Sequence, residues 1–558
     1  MEKTTEGRSS SDNAAAISGK ILESPLTTSN DRPASKDDDA YLPNREAIPI
    51  ICALGTAFFL VTLDRNILAT VIPQITDEFH SIEDIGWYAS AYMLTGSSFV
   101  LLFGKIYTFY PPKWVLLIAI SLFEIGSAIC GSAPNSIAFI IGRAVAGWGF
   151  AGIYIGGTVT LQRILPLHKR PMVMGMMGAV SAISSVAGPI IGGALATKIS
   201  WRWCFYINLP VGGLAMGILA LLLKATAPVK AGTTFKTKLA QLDPLGTLCF
   251  LPSIVCLILA LQWGGSQYAW SNARIIVLLV LFAILLTCFI IIQIWKGEQA
   301  TVPPHVFKQR SIVCGFIFSI CLGSSMALMT YYLPIWFQAI LGVDALHSGY
   351  EILPFLLSLT ATALVAGFTV SKLGYYVPHM ILSSVFMSIG AGLMTTFTPS
   401  TPKAQWIGYQ ILFGIGSGLG AQQTNVAAQA VLPRKDIAIG SALMMFGSQM
   451  SGAIFVPIGQ SVFENHLLKG INGIAGVDGE AILNTGATEL RGVVGSEVLE
   501  SVLGVYDKAL TQVYLVAVVV AALAVLSALG MEWKSVKKDK KADQRPAKVE
   551  DGGVSGRV

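Results

Sequence analysis

The chain has 558 residues, of which 53% are hydrophobic and 13% charged, with a net charge of +6 and a mean hydropathy of +0.64. A soluble domain carries about 25% charged residues; this chain cannot coat several soluble domains with polar surface, so lipid must solvate most of its exterior. Its basic residues are scattered over many short segments and never interleave with aromatics in one patch, which argues for a membrane-orienting bias and against a nucleic-acid interface.

Residues 1–45 are rich in Ser, Thr, Asp and Lys, including the run Lys36-Asp37-Asp38-Asp39, and contain no apolar h-region. They read as a disordered cytoplasmic tail without a secretory signal, so targeting falls to the first span. A spanning helix needs about 20 mainly apolar residues. Such runs fall near 50–72, 87–108, 113–132, 136–160, 173–196, 204–223, 244–262, 274–295, 311–336, 346–370, 378–396, 405–427, 437–459 and 510–530. The fold class is therefore an all-α polytopic membrane protein of about fourteen spans. Residues 534–558 form a second polar tail.

Loop charges orient these spans. The loops after even-numbered spans hold Lys113, then Arg163, Lys169 and Arg170, then Lys224, Lys230, Lys236 and Lys238, then Lys296, Lys308 and Arg310, then Lys372, then Arg434 and Lys435. The loops after odd-numbered spans hold only Lys198, Arg202, Arg274 and Lys403, and the first is acidic, with Asp77, Glu78, Glu83 and Asp84. This asymmetry places the even loops and both termini in the cytoplasm. The Gly-rich stretch near 460–509 is then external, with Gly470, Gly473, Gly476 and Gly479 in turns and a helical part from Glu497.

Four motifs carry a resemblance. They are LDRNILATVIPQI from Leu63 to Ile75, with Asp64 and Pro73; GRAVAGWG, with Arg143 and Gly147 in an RxxxG pattern; GPIIGG, with Gly188, Pro189, Gly192 and Gly193; and SWRWCFYINLP from Ser200 to Pro210. Over residues 45–530 the sequence resembles the major facilitator superfamily, its fourteen-helix drug:proton antiporter branch, and within that the fungal multidrug and mycotoxin efflux pumps. The loop after the second span departs from the family pattern GxLaDrxGrk, with Thr108 in place of the acid and Pro111 in place of the glycine. A charge-based cytoplasmic latch at this loop is thereby put in doubt, and gating must rest on other contacts.

The resemblance implies an N-terminal six-helix bundle over 46–226, a linker with two extra spans over 227–300, and a C-terminal six-helix bundle over 301–533, enclosing a cavity near the midplane. It also implies proton coupling. An acid inside a span is expensive and marks function by default; Asp64 is the expected coupling acid and Arg143 its partner, though the pair could also be a static bridge. Arg65 next door could serve an interfacial role. Glu124 in the third span is a second proton site or a hydrogen-bond hub. Gly188-Pro189 should kink the fifth span, while Gly192 and Gly193 admit a close neighbour. Gln422, Gln423 and Asn425 are expected to line the cavity, as are Tyr331, Tyr332, Trp336 and Gln338 unless the aromatics form an interfacial belt.

The eight cysteines lack CxxC spacing and lie almost entirely in apolar runs, which argues against a zinc site. No GxxxxGK[ST], HExxH or GxSxG motif occurs, so no cofactor, no ATP site and no enzyme is expected. The expectation is a monomeric proton-driven antiporter in the plasma or vacuolar membrane, exporting neutral or amphipathic organic compounds such as drugs or fungal toxins. Uptake or vacuolar loading of amino acids or iron chelates is the alternative in the same fold, and a non-transporting receptor or enzyme the alternative outside it.

Overall fold

The computed structural model describes residues 42–81, 84–224, 242–265, 268–343, 345–472, 474, 482 and 494–537. The N-terminal tail before Leu42, the linker lysines Lys230, Lys236 and Lys238, the glycines Gly473, Gly476 and Gly479, and residues beyond Lys537 lie outside them. Among the described residues, thirteen helical segments are long and apolar enough to cross a membrane, and a further, interrupted helix lies over 403–431. In chain order these helices are α1 (Asn44–Phe79), α2 (Ile85–Phe109), α3 (Pro112–Ser132), α4 (Ser136–Ile164), α5 (Arg170–Lys198), α6 (Asn208–Leu222), α7 (Pro244–Trp263) and α8 (Ala273–Lys296), then α9 (Arg310–Leu341), α10 (Leu353–Leu373), α11 (Val377–Met394), α12 (Lys403–Gly420 with Gln423–Val431), α13 (Ile437–Ile471) and α14 (Ser496–Leu529).

Local chemistry sets the ends. Pro112 and Pro244 open their helices where a missing N–H costs nothing. Asn135 and Asn272 cap α4 and α8 by accepting from Ala138 and Arg274 backbone N–H groups. Gly342 and Gly374 end α9 and α10 in the left-handed region, at φ 71° and 94°.

Two expectations change. The twelfth span is not one helix: Lys403–Gly420 (α12a) gives way at Ala421 and Gln422 to Gln423–Val431 (α12b). A run of amides follows the break, and backbone groups freed inside a span are tolerated where protein surrounds them. The excursion near 460–509 is shorter, because α13 continues to Ile471 and α14 begins at Ser496. Glu351 closes a short helix, Ala345–Glu351, just before α10 and pairs with Lys403 at 3.5 Å.

Helices α1–α6 pack among themselves, as do α9–α14; α5 against α10 and α2 against α13 join the two sets. Helices α7 and α8 pack on each other, with α7 touching α2 and α13. Lipid-side apolar residues are abundant: Leu221 is 86% exposed and Trp295 77% exposed, values that only a bilayer tolerates on so many helices.

Cross-set contacts concentrate at the end that carries the even-numbered loops, here termed the basic end. Gln162 of α4 donates to the Arg434 carbonyl at 3.1 Å, and the Met172 N–H of α5 donates to Ser371 Oγ of α10 at 3.0 Å. Gly175 and Gly367 meet backbone to backbone: a Cβ on Gly175 would stand 2.7 Å from the Ala363 carbonyl. Thr108 bonds only back to the Gly104 carbonyl of its own helix, at 3.0 Å. Its neighbour Lys105 supplies the longer tie: buried, it donates to the Gln299 carbonyl at 3.1 Å and to that of Ala300, in the α8–α9 connection.

That connection is held by Asp243, which caps Gly246 and accepts from Gln293, Lys296 and both the N–H and the hydroxyl of Thr301, all within 3.0 Å. Burial alone would push the Asp243 carboxyl up, but Lys296, Gln293, Gly246 and Thr301 hold it below its ordinary value. At the opposite end, Glu78 of α1 accepts from Trp201 Nε1 at 2.7 Å and from Arg202 at 2.9 Å, pinning α1 to the α5–α6 turn.

Asp243→Ala strands the Lys296 ammonium among buried groups and should cost about 3–5 kcal/mol, read as a lowered thermal midpoint of the purified protein; an unchanged midpoint would contradict the hub. Because the folded carboxyl is lowered, its contribution is complete above about pH 4 and disappears as pH falls through the lowered value.

Candidate functional site

Asp64 sits in the middle of α1 and is 1% exposed. Arg143 of α4, equally buried, reaches it with Nη1 at 2.5 Å from Oδ2. The guanidinium is fixed on its other side, with Nε donating to the Tyr88 carbonyl at 3.0 Å and Cζ 4.6 Å from the Tyr92 ring centroid. Asp64's second oxygen accepts from Asn208 Nδ2 at 3.3 Å, and Asn208 also donates to Ser127 Oγ at 3.0 Å. The structure thus joins the two expected residues and adds Asn208, which sequence reading missed. Its signal was the INLP element, where it was read only as the opening of the sixth span.

Glu124 lies one helical turn before Ser127 on α3 and is 8% exposed. Neither of its carboxyl oxygens has a hydrogen-bond partner among the described residues. It fits against Gly212 of α6, where a Cβ would come within 1.6 Å of Oε1. Glu124, Ser127, Asn208, Asp64 and Arg143 therefore form a polar run inside the N-terminal set, enclosed by apolar side chains.

A 350 Å³ cavity lies beside this run at mid-depth. From the N-terminal set it takes Phe58, Thr62, Arg65 and Asn66 of α1, Phe150 and Tyr154 of α4, and Ser181 and Ser185 of α5. From the other set come Phe318, Ser319 and Thr330 of α9, Thr424 and Asn425 of α12b, and Met444, Ser448 and Gln449 of α13, among others. Gln422 lines a smaller space next to it, bounded by Tyr154, Met174 and Met177. The wall combines aromatic faces, hydroxyls, amides and flexible methionines, which suits varied organic molecules.

Several expected cavity residues lie elsewhere. Gln423 is buried outside both spaces. Tyr332 donates to the Val456 carbonyl at 3.0 Å, and Trp336 Nε1 to Asp507 Oδ1 at 2.7 Å, tying α9 to α13 and α14. Gln338 bonds Ser348 Oγ at 3.0 Å, and Tyr331 is 51% exposed. These four follow Thr330, the last cavity residue on α9, and lie on the helix continuation that packs the C-terminal set together. Arg65, for which an interfacial role was one possibility, lines the cavity.

The GPIIGG segment forms the α1–α5 seam. Pro189 stands inside α5. A Cβ on Gly188 would fall 2.8 Å from Asn66 Cβ, and one on Gly192 would fall 2.3 Å from Thr70 Oγ1. Gly193 faces open space, with no heavy atom within 4 Å of such a Cβ; its role in close approach was an expectation the geometry does not support. Asn66 strengthens the seam by donating to Ser185 Oγ at 3.2 Å.

Comparison with known proteins is consistent with this geometry. The family profile described as Major Facilitator Superfamily matches residues 54–457. The MFS-type efflux pump MFS1 of Trichophyton rubrum is 51% identical, with 92% of this chain and 96% of that protein covered. The rubrofusarin-specific efflux pump aurT of Gibberella zeae is 49% identical, covering 90% and 92% respectively, and the efflux pump aflT of Aspergillus parasiticus 48%, covering 88% and 96%. Among solved structures, the proton:xylose symporter XylE aligns with a TM-score of 0.55 at 13% identity, over 89% of this chain and 99% of that one, a likeness of fold alone.

Gly192→Ala should overpack the seam and cost about 1–3 kcal/mol, while Gly193→Ala should be neutral or slightly stabilising. Thermal midpoints of the two purified variants check this; equal losses would contradict the assigned seam.

Proposed function

This chain belongs to the major facilitator superfamily, and from that premise we propose that it is a proton-coupled antiporter exporting small organic compounds across the plasma membrane. The observation that carries the coupling is the buried Asp64–Arg143 pair, 2.5 Å apart and one wall away from the 350 Å³ cavity. Kinship to pumps named for efflux supports the direction of transport. The loop charges support a cytoplasmic basic end; on that orientation, the contacts at Gln162, Gly175 and Lys105 support a form closed toward the cytoplasm. A single chain supplies both walls of the cavity, which supports a monomer as the working unit.

The chemistry follows from cost. A carboxylate within a span is stable only when paired or protonated. Arg143 stays charged in nearly any surroundings, so Asp64 is the member that exchanges its state. In the outward-facing form a proton arriving at Asp64 weakens its bond to Arg143 and frees the guanidinium toward Tyr88 and Tyr92. Asn208 then holds a neutral acid as readily as a charged one, since an amide both donates and accepts. Reorientation exposes Asp64 to the cytoplasm, where loss of the proton restores the ion pair as cargo enters. Glu124, without a partner on α3, offers a second position for that proton. The seam at Gly188 and Gly192 keeps α1 and α5 moving as one unit, so that proton and cargo steps stay linked.

The test uses inside-out vesicles, acid inside, with rubrofusarin as probe because a relative is named for it. Wild-type protein should accumulate the probe, a protonophore should collapse the accumulation, and Asp64→Asn should abolish it at equal membrane abundance. Undiminished accumulation by Asp64→Asn would overturn the coupling role. Accumulation in right-side-out vesicles instead would overturn the direction and favour uptake.

A further inference from the structure

The cavity contains a cation that the coupling mechanism does not use. Arg65 follows Asp64 directly, and the 100° advance per residue of an α-helix turns the two side chains to different sides of α1. Asp64 points into the N-terminal set; Arg65 joins Thr62 and Asn66, at i−3 and i+1, on the cavity face. Although it sits at mid-span, Arg65 is exposed, and the space it is exposed to is the cavity. It forms no hydrogen bond and no ion pair among the described residues. Three other arginines of this half behave differently. Arg143 is saturated by Asp64 and Tyr88, Arg170 donates to the Leu165 and Gln162 carbonyls, and Arg202 to Glu78 and the Ala133 carbonyl. Each of these three is paired within the protein, and among the described residues Arg65 is not.

Arg65 is also the sole charged residue among those lining the cavity. Asp64 and Arg143 neutralise each other behind the wall, so no carboxylate offsets it there. The cavity thus has a net positive field in a site partly shielded from water, where a charge acts more strongly than in solution. Guanidinium is matched to a planar oxyanion, which it engages through two parallel N–H donors. Phe58, Phe150, Tyr154 and Phe318 supply ring faces for an aromatic body of the cargo.

We infer that Arg65 is the receptor for an oxyanion on the cargo, and that the pump selects amphipathic aromatic acids, bearing one carboxylate or ionised phenol, over neutral or cationic compounds of the same shape. This inference rests on the reading of the cavity as the cargo site. It narrows the cargo expected from sequence, where few fixed charges pointed to neutral or amphipathic compounds.

The test is equilibrium binding of fluorescent pyrenebutyrate and its uncharged amide to the purified full-length protein in lipid nanodiscs at neutral pH. Wild-type protein should bind the acid about tenfold or more tighter than the amide, the range expected of a hydrogen bond to a charged group. Arg65→Gln should remove that preference, weakening the acid by about tenfold or more beyond the amide, and Arg65→Lys should retain part of it. Acid bound no tighter than amide by wild type, or a preference that survives Arg65→Gln, overturns the assignment. Should Arg65→Gln lower the thermal midpoint, the wild-type and Arg65→Lys comparison decides. Binding needs no gradient, so loss of proton-driven flux with the acid preference intact would count against antiport and not against Arg65.

Discussion

A carboxylate buried at mid-depth in a helical bundle has to be matched, and the Asp64–Arg143 pair is the match on which the N-terminal half is built. Separating the two charges would leave one uncompensated, a penalty of about 3–5 kcal/mol for a broken buried pair. The pair therefore fixes how α1 and α4 face each other. Tyr88 and Tyr92 place α2 against the same guanidinium, while Asn208 and Ser127 bring in α6 and α3. Five of the six helices of the half converge on one ion pair. Protonating one member alters the constraint on all of them, which is how a local proton event could reorient a whole bundle.

The basic end depends on a different kind of contact. Where the superfamily motif that the loop after α2 resembles has an acid, this chain has Thr108, whose hydroxyl bonds back to Gly104 of its own helix. The inter-set tie comes from Lys105 and from carbonyls of the α8–α9 connection, which Asp243 holds in shape. The two additional spans thereby gain a role beyond joining the halves: their connecting segment closes on α2. A lysine–carbonyl tie is weaker than a charge pair, which is compatible with a contact that must open each cycle.

Much of the fold was legible in the sequence because the bilayer imposes it. Length and hydropathy locate spans, and alternating Lys and Arg in short loops checks their number. Asp64 and Arg143 were legible because a charge in an apolar run has few stable solutions. Other features were not. Composition cannot separate an aromatic that lines a cavity or an interfacial belt from one that packs helices, so the bonds of Tyr332 to Val456 and of Trp336 to Asp507 were not legible. Hydropathy averages over a break, which hid the division of α12 after Gly420. Arg65 was overshadowed by its neighbour, because only the helix azimuth tells that one faces the bundle and the other the cavity.

The central claim is that Asp64 exchanges its proton against cargo. The most direct measurement is proton release on cargo binding, followed with a pH dye in weakly buffered solution as rubrofusarin is added to the purified protein. The account expects wild-type protein to release protons, and Asp64→Asn to bind the probe while releasing none. Equal release from both would contradict it and move the coupling site away from the Asp64–Arg143 pair.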